Sequence, residues 1–194
     1  MREEIFSRFL GGLWEALPMN LVLIGYRAAG KTTVGRRLSA YLRRVFVDSD
    51  DMIEKHQGTP IGDIVRCHGW DYFRAIEREV ISEVSNYDNL IVSAGGGVVI
   101  DPENVKVLKR NGLIIWLKAD VEVLLERLVR DLRSAIERPS LTGRGTLKEF
   151  KEVLVQRGPL YERASEVQVD TSLLDVDGVV NQVLSIFEER LVRV

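Results

Sequence analysis

The stretch Gly25-Tyr26-Arg27-Ala28-Ala29-Gly30-Lys31-Thr32-Thr33 follows directly on the apolar run Leu21-Val22-Leu23-Ile24, and it leaves few folds open. It has the form G-x-x-x-x-G-K-[ST], with a short apolar strand before it and a helix-forming sequence after it. Gly25 and Gly30 let the backbone wrap so that successive N–H groups turn inward on phosphate oxygens. The helix that follows adds the positive end of its dipole. Lys31 is placed to reach β- and γ-phosphates as a point charge, and the Thr32 hydroxyl is a natural ligand for the Mg²⁺ of a nucleoside triphosphate. A glycine-containing turn without a ligand is the alternative, and the strand-loop-helix context weighs against it.

A chain of 194 residues, 45% hydrophobic and 29% charged, is long enough to bury one α/β core around that loop and is not expected to split in two. A net charge of -2 and a pI near 5.8 argue against a general nucleic-acid binder, so positive charge for a ligand must be local. Cys67 is the only cysteine and His68 its only Cys or His neighbour, which fits a reducing cytoplasm and not a zinc site. No apolar run approaches a membrane span, and no basic stretch leads into an apolar core at the N-terminus. Neither a membrane partner nor a signal peptide is expected.

Residues 1–18 stand apart as an amphipathic extension from the domain at 19–194. Ile5, Phe6, Phe9, Leu10, Leu13, Trp14 and Leu17 recur at three- and four-residue spacing, Gly11-Gly12 interrupts them, and Pro18 ends the pattern. Packing on its own domain is the favoured reading, because Glu3, Glu4 and Glu15 make the segment too acidic for an anionic membrane. A docking or dimer-forming helix is the alternative. A monomer is expected, with self-association through residues 1–18 left open.

Beyond the loop, Val34 to Arg44 reads as a helix with Leu38, Tyr41 and Leu42 on one face, and Val45-Phe46-Val47 as a second strand ending in Asp48-Ser49-Asp50-Asp51. Acidic residues at the carboxyl end of a strand sit where open α/β sheets bind ligands. Asp48 and Asp50 are therefore candidates, one to face a metal and the other a substrate. A helix N-cap with acidic first-turn residues is the plainer account, and the better one for Asp51. Helical sequence follows at Ile53 to His56, at Thr59 to Arg66, and from Gly69 to about Tyr87. Arg74 and Glu77 share a helix face there, either as an oriented fork suited to a carboxylate or as an exposed ion pair.

A third strand, Leu90 to Ser93, leads into Gly95-Gly96-Gly97, either a close backbone approach or a flexible turn. Asn104 to Arg110 is read as a helix, Leu113 to Leu117 as a strand with Trp116 in the core, and Val121 to Val129 as a helix. From Arg127 to Arg144 the apolar rhythm breaks, with a lid at about 130–146. Arg127, Arg130, Arg133, Arg138 and Arg144 gather here around Pro139, which reads as a mobile lid carrying charge for phosphates or as a solvated loop. A helix from Leu147 to Val155 ends near Arg157-Gly158-Pro159-Leu160-Tyr161. A strand at Val167 to Asp170 and a helix at Val176 to Leu191 follow. Alternating strands and helices imply an α/β fold with a parallel sheet covered on both faces.

Taken in order, Gly25-x4-Gly30-Lys31-Thr32, Asp48-Ser49-Asp50, Phe73-Arg74 with Glu77, Gly95-Gly96-Gly97, Arg138-Pro139 and Arg157-x-Pro159-Leu160-Tyr161 resemble the shikimate kinase family from about Asn20 onward. The resemblance implies a three-layer α/β/α P-loop kinase fold with a five-stranded parallel sheet and a mobile lid. It also implies transfer of the ATP γ-phosphoryl to the 3-hydroxyl of shikimate. Residue by residue, Gly25, Ala28, Ala29, Gly30, Lys31, Thr32 and Thr33 would cradle the nucleotide. Thr32 and Asp48 would serve Mg²⁺, Asp48 through water, and Asp50 would hold the substrate hydroxyls and accept the proton. Arg74 and Arg157 would grip the carboxylate, with Gly95, Gly96 and Gly97 offering backbone N–H groups. Arg138 would reach the phosphates from the lid and Arg127 would lie on adenine.

Ala28 replaces a usual third loop glycine, Ser140 a usual leucine, and the lid is a few residues longer than is usual in the family. These departures bear on nucleotide affinity and lid closure more than on the reaction. A related kinase, for instance one acting on gluconate, and a catalytically silent nucleotide-binding module are the alternatives. A panel of polyhydroxy acids separates the first. A full set of Lys31, Asp48, Asp50 and Arg138 opposes the second.

Overall fold

The computed structural model describes residues 19–130 and 147–192. The expected N-terminal helix and the expected lid after Arg130, with Arg133, Arg138, Ser140 and Arg144, lie outside the described residues.

Strand β1 (Asn20–Ile24) is buried at all five positions, as a central parallel strand with helices over both faces must be. Helix α1 (Lys31–Leu42) starts three residues earlier than its apolar spacing suggests, because Gly30 takes a left-handed conformation (φ 93°) and caps it. Lys31 and Thr32 are therefore first-turn residues, whose N–H groups have no intrahelical acceptors. Val34, Leu38 and Leu42 carry its buried stripe. Tyr41, expected on that stripe, lies on the flank and is exposed.

Strand β2 (Val45–Asp48) runs without a break into helix α2 (Ser49–Gln57), and Asp48 is its N-cap. Helix α3 (Ile61–Val84) is two helical pieces joined at Gly69, whose φ of 83° and ψ of 172° no helix contains. After β3 (Leu90–Ser93) come a single 3₁₀ turn at Val98–Ile100 and helix α4 (Pro102–Arg110). Strand β4 (Gly112–Lys118), helix α5 (Val121–Arg130), helix α6 (Leu147–Ala164), strand β5 (Val167–Asp170) and helix α7 (Val176–Val192) complete the order. Helix α6 passes through Pro159, where an end was expected. Pro159 removes one helical N–H, but Val155, the residue four before it, faces solvent. Beyond the proline, the fully buried Tyr161 anchors the helix.

The sheet is five-stranded and parallel in the order β2-β3-β1-β4-β5. Leu21, Leu23, Ile91, Ile114 and Phe187 are among the residues filling the layers between sheet and helices. Trp116 is half-buried, packs on this core and stacks on Tyr161 at 5.6 Å between ring centroids, as a core residue would. Among the described residues no helix is long and apolar enough to cross a membrane. Because every pairing is parallel, the carboxyl ends of β1, β2 and β3 lie together, with Leu23 opposite Ser93 and Ser93 opposite Asp48. The segments that follow those three strands, together with helix α6, build the site.

Candidate active site

The loop after β1 is held from within. The Ala29 N–H donates to the Tyr26 carbonyl at 3.3 Å, and the Lys31 ammonium donates to the carbonyls of Gly25 at 2.9 Å and Tyr26 at 3.1 Å. Ala28 sits at φ 64°, a left-handed conformation that costs a Cβ-bearing residue about 1–2 kcal/mol. A residue held in strain where the loop faces a cavity marks a place the surrounding fold over-determines.

Asp48 does two things at once. One carboxylate oxygen accepts from the Asp50 N–H at 3.1 Å, capping α2, and the other accepts from the Thr32 hydroxyl at 2.9 Å. The capping account and the metal account are thus both consistent with the same side chain. A hydroxyl and a carboxylate oxygen side by side are hard donors that suit Mg²⁺, an ion that keeps waters and phosphate oxygens for its other positions. Among the described residues no three His, Cys, Asp or Glu side chains form a fuller metal cage.

The three glycines after β3 are there for space. None of them has a positive φ. A Cβ on Gly95 would fall 2.5 Å from an Asp50 carboxylate oxygen, and one on Gly97 would fall 2.6 Å from Nη1 of Arg74. The close-approach reading holds against the flexible turn. The expected N–H offer does not hold for Gly95, which donates to the Ser49 hydroxyl at 2.9 Å. At Gly96 the carbonyl is engaged, accepting from Arg157 Nη1 at 3.0 Å and from the Tyr161 hydroxyl at 2.5 Å. Burial pushes the Tyr161 phenol far up, so it stays a neutral donor to that carbonyl.

Arg74 donates to Glu77 at 2.6 Å, with side-chain exposures of 18% and 1%, so the pair is a buried fork and not a solvated contact. The guanidinium carbon lies 5.0 Å from the Phe73 ring centroid and 5.5 Å from that of Trp70, which adds cation–π attraction. Burial raises the Glu77 carboxyl above its ordinary value against the opposing pull of Arg74. Its Oε1 is buried with no hydrogen-bond partner among the described residues.

Two cavities open side by side on these groups. One is lined by Lys31, Thr32, Thr33, Ala28, Gly30 and Asp48, with Ser93 and Ala94 as its floor. The other is lined by Arg74, Arg157, Glu77, Gly96 and Gly97 with Tyr26, Ile61, Trp70 and Phe73. Asp50 and Arg27 line both. Of the expected site residues, Gly25, Ala29, Gly95 and Arg127 line neither. Gly25 packs against the Leu117 carbonyl, Ala29 is buried under the loop, and Gly95 backs Asp50 from behind. Arg127 is held by Thr171, donating to its hydroxyl at 2.9 Å and to its carbonyl at 2.5 Å. Sequence reasoning missed Arg27, Tyr26, Trp70, Phe73 and Tyr161 as site residues. A cation at a variable position of the phosphate loop was the available signal for Arg27.

The shikimate kinase family model matches residues 27–188 of the chain. The shikimate kinase of Syntrophus aciditrophicus is 37% identical over 179 residues, covering 88% of this chain and 92% of the relative. That of Pelotomaculum thermopropionicum is 40% identical over 171 residues, covering 88% and 96%. Among solved structures, the shikimate kinase from Acinetobacter baumannii in complex with shikimate superposes with a TM-score of 0.83 at 32% identity, covering 91% of this chain and 96% of that one. A gluconokinase from Sinorhizobium meliloti, at 16% identity and a TM-score of 0.53, shares the fold alone.

Proposed function

The chain belongs to the shikimate kinase family, and from that membership we propose that its two joined cavities bring ATP and shikimate together across Asp50. The protein is an ATP-dependent kinase that phosphorylates the 3-hydroxyl of shikimate, giving shikimate 3-phosphate and ADP. The observation that carries the residue assignments is that a phosphate-loop cavity and an arginine-lined cavity meet at one carboxylate.

In the reaction, the bond between the γ-phosphorus and the β–γ bridging oxygen breaks while a bond from the shikimate 3-oxygen to that phosphorus forms. The hydroxyl proton passes to the Asp50 carboxylate, and the electron pair leaves with ADP. Asp50 is set for this by the backbone. Its N–H is bound by Asp48, and the bare Gly95 backbone lies against one of its oxygens. Arg74, oriented by Glu77, and Arg157, oriented by the Gly96 carbonyl, would meet the shikimate carboxylate as two planar forks. Phe73, Trp70 and Ile61 exclude water beside them. Lys31 and the first-turn N–H groups of α1 would hold the β- and γ-phosphates. Thr32 and Asp48 would hold Mg²⁺, which when bound neutralises charge between the phosphates. Arg127, tied to Thr171, would present its planar face to adenine, and Arg138 of the lid would complete the charge on the phosphates.

The reading extends to a cytoplasmic protein, which the single cysteine supports. Coupled measurement of ATP consumption over a panel of polyhydroxy acids tests the substrate. Turnover with shikimate is expected, and turnover with gluconate in its place would overturn the assignment.

A further inference from the structure

We infer that Arg27 is a further catalytic residue, a cation that contacts the phosphoryl group as it leaves the phosphate loop and remains beside it in the phosphorylated product. The inference rests on the reaction assigned above.

Among the described residues only Asp50 and Arg27 line both cavities. Whatever crosses from one cavity to the other passes both. Asp50 accounts for the proton, which leaves Arg27 to be explained. Its position is built. Tyr26, only 3% exposed, is pinned edge-on by Phe150 at 4.8 Å between ring centroids. The guanidinium carbons of Arg27 and Arg157 lie 5.8 and 5.9 Å from that same ring centroid. The Arg27 backbone nitrogen lies 3.7 Å from where a Gly96 Cβ would stand, beside the Gly96 wall of the acceptor cavity. Its charge reaches the Tyr161 phenol on that wall.

The other cations have different stations. Lys31 is bound to two carbonyls of the loop itself, Arg74 to Glu77, and Arg157 to the Gly96 carbonyl. They serve the resting phosphates and the acceptor's carboxylate. In the transfer, negative charge spreads over three equatorial oxygens while the phosphorus moves away from the loop's fixed N–H groups. A planar guanidinium with five donors at the junction stabilises that charge where the loop no longer reaches it. Since the transferred group ends in the acceptor cavity, the same contact persists in the product. ADP, which lacks that group, never makes it.

The experiment compares wild type with Arg27→Ala and Arg27→Gln, the second keeping side-chain length should the first fail to fold. Loss of a transition-state donor of this kind predicts a fall in kcat of about 100- to 1,000-fold. KM for shikimate should change by less than about threefold, since uniform binding is untouched. ADP titrated into each variant should bind as it does to wild type, while shikimate 3-phosphate should bind about tenfold or more weakly, the loss of a charge-assisted contact. Arg27→Lys should recover part of kcat. A raised KM for shikimate with kcat kept would make Arg27 a substrate-binding arm and overturn the inference. Equal weakening of ADP would make it a shaper of the loop and overturn the inference as well, and unchanged kinetics would also sink it. A wild-type chain that does not turn over shikimate would instead overturn the reaction assignment, and this inference with it.

Discussion

Arg74 illustrates how much of this site depends on one side chain being allowed room by another residue's lack of one. Gly97 leaves the guanidinium its space, Phe73 and Trp70 cover it, and Glu77 turns its fork. Charge-assisted hydrogen bonds are worth roughly 1.5–3 kcal/mol, so Arg74→Ala or Arg157→Ala should weaken shikimate binding by about ten- to a hundredfold. ADP binding should barely move. Arg→Lys should fail nearly as badly, because an ammonium cannot meet both carboxylate oxygens in a plane. Glu77→Ala should give a milder defect that is non-additive with Arg74→Ala, since the two act through one fork. Shikimate titrations at fixed Mg²⁺ and ADP read all of this, and wild-type affinity in both arginine variants would remove the clamp. Asp50 permits a cleaner separation. Asp50→Asn keeps the shape and the backbone contacts but removes the carboxylate, so with Asp50 as the proposed proton acceptor kcat should fall strongly with ADP affinity kept. An equal loss of ADP affinity would make Asp50 a metal residue.

At the scale of elements, two backbone conformations with positive φ matter, and they should answer differently to substitution. Gly69 joins the two halves of α3 at φ 83° and ψ 172°, and the second half carries Trp70, Phe73, Arg74 and Glu77 to the arginine-lined cavity. Nothing lies within 4 Å of a Cβ placed there, so the cost of Gly69→Ala is conformational alone. That cost is about 1–3 kcal/mol for a region only glycine populates readily, and it should appear as a lowered denaturation midpoint. KM should rise for shikimate more than for ATP if, as proposed, the displaced wall faces shikimate. Ala28 is the converse. Ala28→Gly relieves left-handed strain but frees the unfolded chain, and the two effects, each about 1 kcal/mol, should leave stability nearly unchanged. A large loss of stability in Ala28→Gly, or none in Gly69→Ala, would contradict these conformational assignments. Helix α6 matters to the site through its length. Its course through Pro159 is what carries Arg157 and Tyr161, on successive turns, to one carbonyl at Gly96.

For the molecule as a whole, the first described residues, Met19 and Asn20, are tied into the fold. Arg44 is buried and donates to the Met19 carbonyl at 2.7 Å, while its guanidinium carbon lies 4.9 Å from the Phe187 ring centroid. The Asn20 side chain binds the Tyr87 carbonyl at 2.7 Å and the Leu90 N–H at 2.9 Å. A chain starting at Met19 should therefore keep its turnover within about twofold, since the strand at its new end stays tied into the sheet. Comparing kcat and sedimentation with the full chain checks this, and lost activity would give residues 1–18 a part in the site. The phosphate loop was legible beforehand because its chemistry is carried by nine consecutive residues. The order of strands and helices was legible because hydrophobic spacing reports local dihedral angles. Shikimate as substrate came from resemblance, residue type by residue type. Other things were not legible. Whether Arg74 and Glu77 were exposed or buried, whether three glycines meant flexibility or room, and that Arg27 stands with Asp50 at the junction depend on segments far apart in sequence. Local spacing says nothing of what packs against a residue from across the sheet, and burial, which separates the Arg74–Glu77 pair from a surface ion pair, is a property of that packing alone.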